Sequence, residues 1–246
     1  MVKFVPPPDV AADTTDRDVG KICHSLLEYT SKGIDLDEAV GLLKDKSIIS
    51  EKLWEERVDS TLPNIISFND RIKAFAKTNP IQTIHTELKL GVSKDWKPCG
   101  FFDNNVHYRG VIDYVLKLQN GDIIVIDHKT GGSSEYVIRN SQFQLNSYEA
   151  LFHSRYPVKG AVSGIHYIRE GTVPLGERHE ASYIETHIRS SIDFAIEAAI
   201  DRVKTDGYFK HVRGSLCKYC DYDNMCKSKE YTPLEEQSKL WVKENL

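Results

Sequence analysis

Asp113, Asp127 and Lys129 are the residues best suited to chemistry. They sit in two β-rich runs, Tyr108-Arg109-Gly110-Val111-Ile112-Asp113 and Val125-Ile126-Asp127-His128-Lys129-Thr130-Gly131-Gly132. Paired carboxylates can hold a hard, oxygen-loving cation, and a cation beside a phosphodiester assists an attacking water and offsets the charge that develops. Lys129, two residues from Asp127, adds a positive group on the same strand face. The set suits metal-assisted phosphodiester hydrolysis. Acids and lysines are also ordinary solvent-face residues. Here each lies among Val and Ile, where an unpaired charge is costly.

The elements must bring these groups together. Asn120-Gly121 separates Val111–Leu118 from Asp122–Asp127 and signals a hairpin. A strict two-residue loop would pair Asp113 with His128 and aim Asp113 away from Asp127. A three-residue loop, Gln119-Asn120-Gly121 with Gly121 in the left-handed region, sets Asp113 opposite Asp127. The sequence therefore predicts the odd-length loop or an equivalent bulge. Three further features are ambiguous by themselves. His24 and Glu28 share a helix face, yet a lone helix histidine is more often structural. Gln144 and Tyr148 are also spaced i, i+4, which packing alone would explain. Glu87, within Ile84–Leu90, alternates like a half-buried strand residue and is either a neighbour of the metal site or a surface charge.

The stretch from Arg109 to Gly132 resembles the RecB-like exonuclease branch of the PD-(D/E)xK nucleases, whose pattern is G-x-x-D, a hairpin, then D-x-K-T-G. Gly20-Lys21-Ile22-Cys23-His24 is similar to the upstream G-x-x-x-H helix, and Gln144-Leu145-Asn146-Ser147-Tyr148 to the downstream Q-x-x-x-Y helix. The resemblance runs from about Gly20 to Cys226. It implies an α/β (α+β), restriction-endonuclease-like core, a central mixed sheet flanked by helices, with an N-terminal helical region and a C-terminal cysteine tail. It also implies that His24, Asp113, Asp127 and the backbone carbonyl of His128 bind Mg2+ or Mn2+. Asp113, Asp127 and Lys129 would be catalytic, and Gln144 and Tyr148 would position substrate. Glu28 and Glu87, from their own placement on helix and strand, are candidates to support the ligands from behind. The implied activity is a metal-dependent DNA exonuclease working from ends of single-stranded DNA, in recombination, repair or DNA processing. A non-catalytic nucleic-acid-binding subunit of the same fold and an endonuclease are the alternatives.

A second signal is the run Cys217-Lys218-Tyr219-Cys220-Asp221-Tyr222-Asp223-Asn224-Met225-Cys226. Three cysteines this close usually mean a metal. With five cysteines in a chain this long and no apolar signal core after Met1, a disulfide framework is not expected. The spacing is similar to the C-terminal cysteines of RecB-like nucleases that carry a four-iron, four-sulfur cluster, the CRISPR-associated adaptation nucleases and the AddB subunit. Those families take a fourth cysteine from upstream. Here Cys23 is the upstream candidate, although it abuts His24 where the family leaves a wider gap. Cys23 points about 100° around the helix from His24 and so away from the catalytic metal. Zinc held by three thiolates and a histidine such as His211 is the competing outcome.

With 40% hydrophobic and 28% charged residues among 246, the chain can bury one sizeable core. The expected organisation is a loose Pro-rich segment over 1–15, then a single nuclease domain over 16–246 that includes the cysteine motif at 217–226. The reading is of an intracellular, cytoplasmic protein, nucleoid-associated or virus-encoded, with no membrane partner, since no apolar run reaches spanning length. A net charge of -4 places any nucleic-acid contact on local patches. Candidates are Lys204, Lys210, His211, Arg213, Lys218 and Arg139, with Tyr208 and Phe209 as stacking groups. The absence of a G-x-x-x-x-G-K-[ST] motif assigns any unwinding to a helicase or recombination partner. Helices are expected through His24, over 36–44, 64–77, 144–152 and 191–203, and from a capping box at Thr232-Pro233-Leu234-Glu235. Strands are expected through Glu87, Asp113 and Asp127 and over 161–169, the last returning beside the Asp127 strand.

Overall fold

The computed structural model describes residues 15–47, 49–133 and 135–207, with positions 236, 239, 242 and 243. The tail cysteines Cys217, Cys220 and Cys226, the capping box at 232–235 and residues 1–14 lie outside the described residues. Two compact units form, one of residues 17–190 and one of 1–16 with 191–246.

The larger unit opens with four helices, α1 (Thr15–Ser31), α2 (Leu36–Lys44), α3 (Glu51–Arg57) and α4 (Leu62–Thr78). Val19, Ile22, Cys23, Leu26 and Leu27 recur at helical spacing and form the buried stripe of α1. Gly33, at φ 87, ends that helix, and the Gly33 and Ile34 amides donate to the Thr30 and Tyr29 carbonyls. This is a Schellman closure that favours glycine at its left-handed position. Asp35 and Ser50 cap α2 and α3 by accepting from the amides of Asp37 and Leu53.

The sheet follows. Its strands are β1 (Ile81–Val92), β2 (Pro98–Cys99), β3 (Tyr108–Leu118), β4 (Asp122–Lys129), β5 (Gly160–Tyr167) and β6 (Leu175–Glu180), in the order β2-β1-β3-β4-β5-β6. Only β4 and β5 are parallel. They are joined through α5 (Glu135–Arg155), so the returning strand does lie beside the one that carries Asp127. The result is the mixed sheet flanked by helices that the sequence leads one to expect. Tyr114, Leu116, Leu118, Ile124 and Ile126 pack with Ile65 and Phe68 of α4 and the stripe of α1. On the α5 side, Leu145 packs with Ile165 and Tyr167 of β5.

The hairpin has the odd-length loop. Lys117 pairs with Ile123 and Tyr114 with Ile126, which leaves Gln119, Asn120 and Gly121 between the strand ends, with Gly121 at φ 95. After β6 come a three-residue turn α6 (Ala181–Tyr183), a π-helical turn over Ile184–Ile188 and α7 (Arg189–Asp206), which runs into the second unit. The elements α3, β2, β6 and the π turn lie outside those expected from the sequence. Among the described residues, no helix is long and apolar enough to cross a membrane.

Candidate active site

Strand register builds the site. Thr86 pairs with Tyr114 and Leu88 with Ile112, so Glu87 falls opposite Asp113. One step beyond the Tyr114–Ile126 pair, Asp113 falls opposite Asp127. Three carboxylates therefore stand in a row across β1, β3 and β4, neighbouring strands being about 4.8 Å apart. The ladder gives way at this row. The β3–β4 pairing runs to Tyr114–Ile126, one step short of it, and the His128 amide donates to the Asp113 Oδ2 at 2.8 Å. Glu87 sits at φ 49, a left-handed conformation that costs a residue with a Cβ and concentrates at functional sites.

His24 closes the row from α1. Its Nε2 lies 3.0 Å from the His128 carbonyl, and its Nδ1 lies 3.5 Å from Glu87 Oε1 and 3.8 Å from Asp113 Oδ2. With Nε2–H donated to the carbonyl, the Nδ1 lone pair of the neutral ring faces the two acids. That is how metal-binding histidines are commonly oriented. His24, Glu87 and Asp113 each offer a ligand atom, all within 4.8 Å of one another. Asp127, 1% exposed, is held instead by Lys129, whose Nζ is 2.7 Å from its Oδ2. Lys129 Nζ also donates to Gln144 Oε1 at 3.3 Å, and Gln144 Nε2 donates to the Tyr148 hydroxyl at 2.6 Å.

The charges are arranged under stress. Burial, reinforced by Asp127 and Glu87, outweighs His24 and the His128 amide and pushes Asp113 up to about 7. Burial also raises Asp127 against the pull of Lys129. For His24, burial acts downward, but the hydrogen bond to Glu87 and the charges of Asp113 and Glu87 prevail and raise it. A pocket that opposes the ionisation of its acids in this way favours a partner that would compensate their charge. An oxygen-preferring divalent cation fits the donor set of two carboxylates and an imidazole. Behind the site, His128 and His166 are register partners whose Nδ1 atoms are 3.0 Å apart. Burial holds His128 well below its usual range and His166 at about 4. Both rings are thus neutral near pH 7 and share a single N–H between them. Phe68 stacks on His166 at 4.4 Å, packing the pair into the core.

The sequence-derived residues are thus distributed as follows. Asp113, Asp127, Lys129, Gln144, Tyr148 and His24 converge. Glu87 stands with His24 and Asp113 in front rather than behind, and the His128 carbonyl is engaged by the His24 ring. Glu28 is drawn to Lys32, with Oε1 2.5 Å from its Nζ. Cys23 is fully buried, its Sγ 3.7 Å from Thr61 Oγ1. Burial pushes this thiol upward, away from the thiolate a metal takes. Gly110 serves packing. A Cβ there would meet Leu151 Cδ1 at 3.0 Å and Tyr148 Cε1 at 3.1 Å, whereas one at Gly20 would meet only Thr130 Oγ1, at an ordinary 3.6 Å. Glu170 was not singled out from sequence. It accepts from the Ser133 amide at 2.6 Å and ties down the loop after Lys129.

The sequence profile of the PD-(D/E)XK nuclease superfamily matches residues 3–227. No curated protein matches the chain in sequence. Among solved structures, one titled "Crystal structure of SSO0001" shares 17% identity over 90% of this chain and 89% of that chain, with a TM-score of 0.36.

Proposed function

The chain belongs to the PD-(D/E)XK nuclease superfamily, whose members are metal-dependent nucleases, and on that premise we propose that it is a DNA exonuclease that works from ends of single-stranded DNA. The observation that carries the reading is the convergence of His24, Glu87 and Asp113 beside the Asp127–Lys129 pair. His24, Glu87 and Asp113 would hold Mg2+ or Mn2+, with Asp127 and the His128 carbonyl adjoining. Such a cation polarises a phosphate oxygen and eases ionisation of water. The remaining work belongs to the chain. Asp127 holds Lys129 in place, and the Lys129 Nζ orients the attacking water, takes its proton or offsets charge on the phosphate. Gln144 fixes Lys129 and passes the constraint to Tyr148, so both position substrate.

Cys217, Cys220 and Cys226 are proposed to hold an iron–sulfur cluster, with zinc as the alternative. The core setting of Cys23 favours a structural thiol there and a fourth ligand from elsewhere. Exonuclease action is tested with an end-labelled single strand and a closed circle, each with magnesium, manganese or chelator. Metal-dependent loss of the linear strand with the circle intact is expected. Cutting of the circle would replace this reading with an endonuclease.

A further inference from the structure

Between β2 and β3 the chain spends several interactions on presenting one phenylalanine. Phe102 is 75% exposed. A single exposed apolar residue is unremarkable, but this one is braced. Arg109 donates to the Phe101 carbonyl at 2.8 Å and places its guanidinium 4.9 Å from the Phe101 ring and 5.5 Å from the Phe102 ring. The two rings meet edge to face at 5.0 Å. The loop is stiffened by Asp103, whose Oδ2 accepts from the Gly100 amide at 2.6 Å, and by the His107 amide, which donates to the Val92 carbonyl at 2.8 Å.

We propose that Phe102, backed by Phe101 and Arg109, is a stacking shelf for a nucleobase of a single-stranded substrate. This deepens the nuclease reading and rests on it. Position is the first argument. Arg109 lies on β3 four residues before Asp113, about 13 Å along the strand, a reach of a few nucleotides. Its neighbour Gly110 abuts Tyr148, which bonds Gln144, which bonds Lys129. Charge is the second. The chain carries a net -4, yet residues 89–109 hold four Lys or Arg side chains against two acids, and one of those acids, Asp103, is occupied by the loop amide. Aromatic faces interleaved with cations suit a single strand, whose unpaired bases stack while its phosphates meet the cations. A duplex keeps its bases stacked on one another and gains nothing from the shelf.

The test uses the full chain in chelator, with single-stranded oligodeoxynucleotides carrying 2-aminopurine at successive positions. Binding is read by anisotropy and stacking by quenching. The wild type is expected to quench at one or two adjacent positions. Phe102→Leu, which keeps apolar area but no ring, should lose that quench and raise the Kd for the single strand roughly tenfold. Phe102→Trp should keep both. Unchanged quench and Kd in Phe102→Leu, loss of both in Phe102→Trp, or a wild type that binds no strand would each overturn the shelf. Magnesium-dependent cleavage is read separately. Quench and Kd unchanged in Phe102→Leu, with both proteins cleaving, removes the shelf and leaves the nuclease reading. Stacking without cleavage does the reverse.

Discussion

Asp113 and Glu87 show how far burial and backbone geometry are spent on this site. The unfolded chain loses the Asp113 proton near 3.8, whereas the folded one keeps it to about 7. The native state therefore holds the extra proton between those values. Its stabilising effect is complete below 3.8 and is lost as pH rises through about 7. In metal-free protein the melting temperature should accordingly fall from pH 4 to 7 relative to Asp113→Asn, which stays neutral. Metal must displace the same proton, together with that of the His24 ring where it is charged, so Mn2+ affinity measured calorimetrically should climb at least about tenfold per pH unit below 7. Glu87 carries a different cost. Glycine relieves a positive φ, so Glu87→Gly should raise metal-free stability by about 1 kcal/mol in thermal melts while weakening Mn2+ binding roughly tenfold or more. A destabilised variant with normal metal affinity would remove Glu87 from the site.

At the scale of elements, the hairpin was legible because side-chain alternation and turn chemistry constrain each other. Only an odd loop lets Asp113 face Asp127, and Gly121 supplies the left-handed residue such a loop requires. The β1 register was not legible. It depends on pairing across an intervening loop, and so Glu87 could be placed on a strand but not in the row of acids. Short or polar elements such as α3 and the exposed β6 lack a long periodic stripe, and the π turn at Ile184–Ile188 has no sequence signature of its own. The two motif glycines also separate only in three dimensions. Gly110→Ala should push Tyr148 and Leu151 by a few tenths of an ångström, cost about 1–3 kcal/mol and slow cleavage by disturbing the Gln144–Lys129 contact. Gly20→Ala, inside α1 with room for the methyl, should raise stability by about 1 kcal/mol and leave rates unchanged. Equal behaviour of the two would contradict the packing role given to Gly110.

For the molecule as a whole, the restriction-endonuclease-like arrangement explains why an acidic protein can act on an acidic polymer. The sheet lines up the carboxylates, α1 and α5 bring His24, Gln144 and Tyr148 to that row, and a bound divalent cation would neutralise the local charge. The proposed mechanism divides labour between a metal-holding group, His24, Glu87 and Asp113, and a proton-handling pair, Asp127 and Lys129. The most direct test is to measure Mn2+ binding and single-turnover cleavage of a linear single strand for wild type, Lys129→Ala and Asp113→Ala side by side. Lys129→Ala is expected to lose cleavage and keep most of its metal affinity, and Asp113→Ala to lose both. Wild-type Mn2+ affinity in Asp113→Ala, or substantial cleavage by Lys129→Ala, would contradict this division of labour.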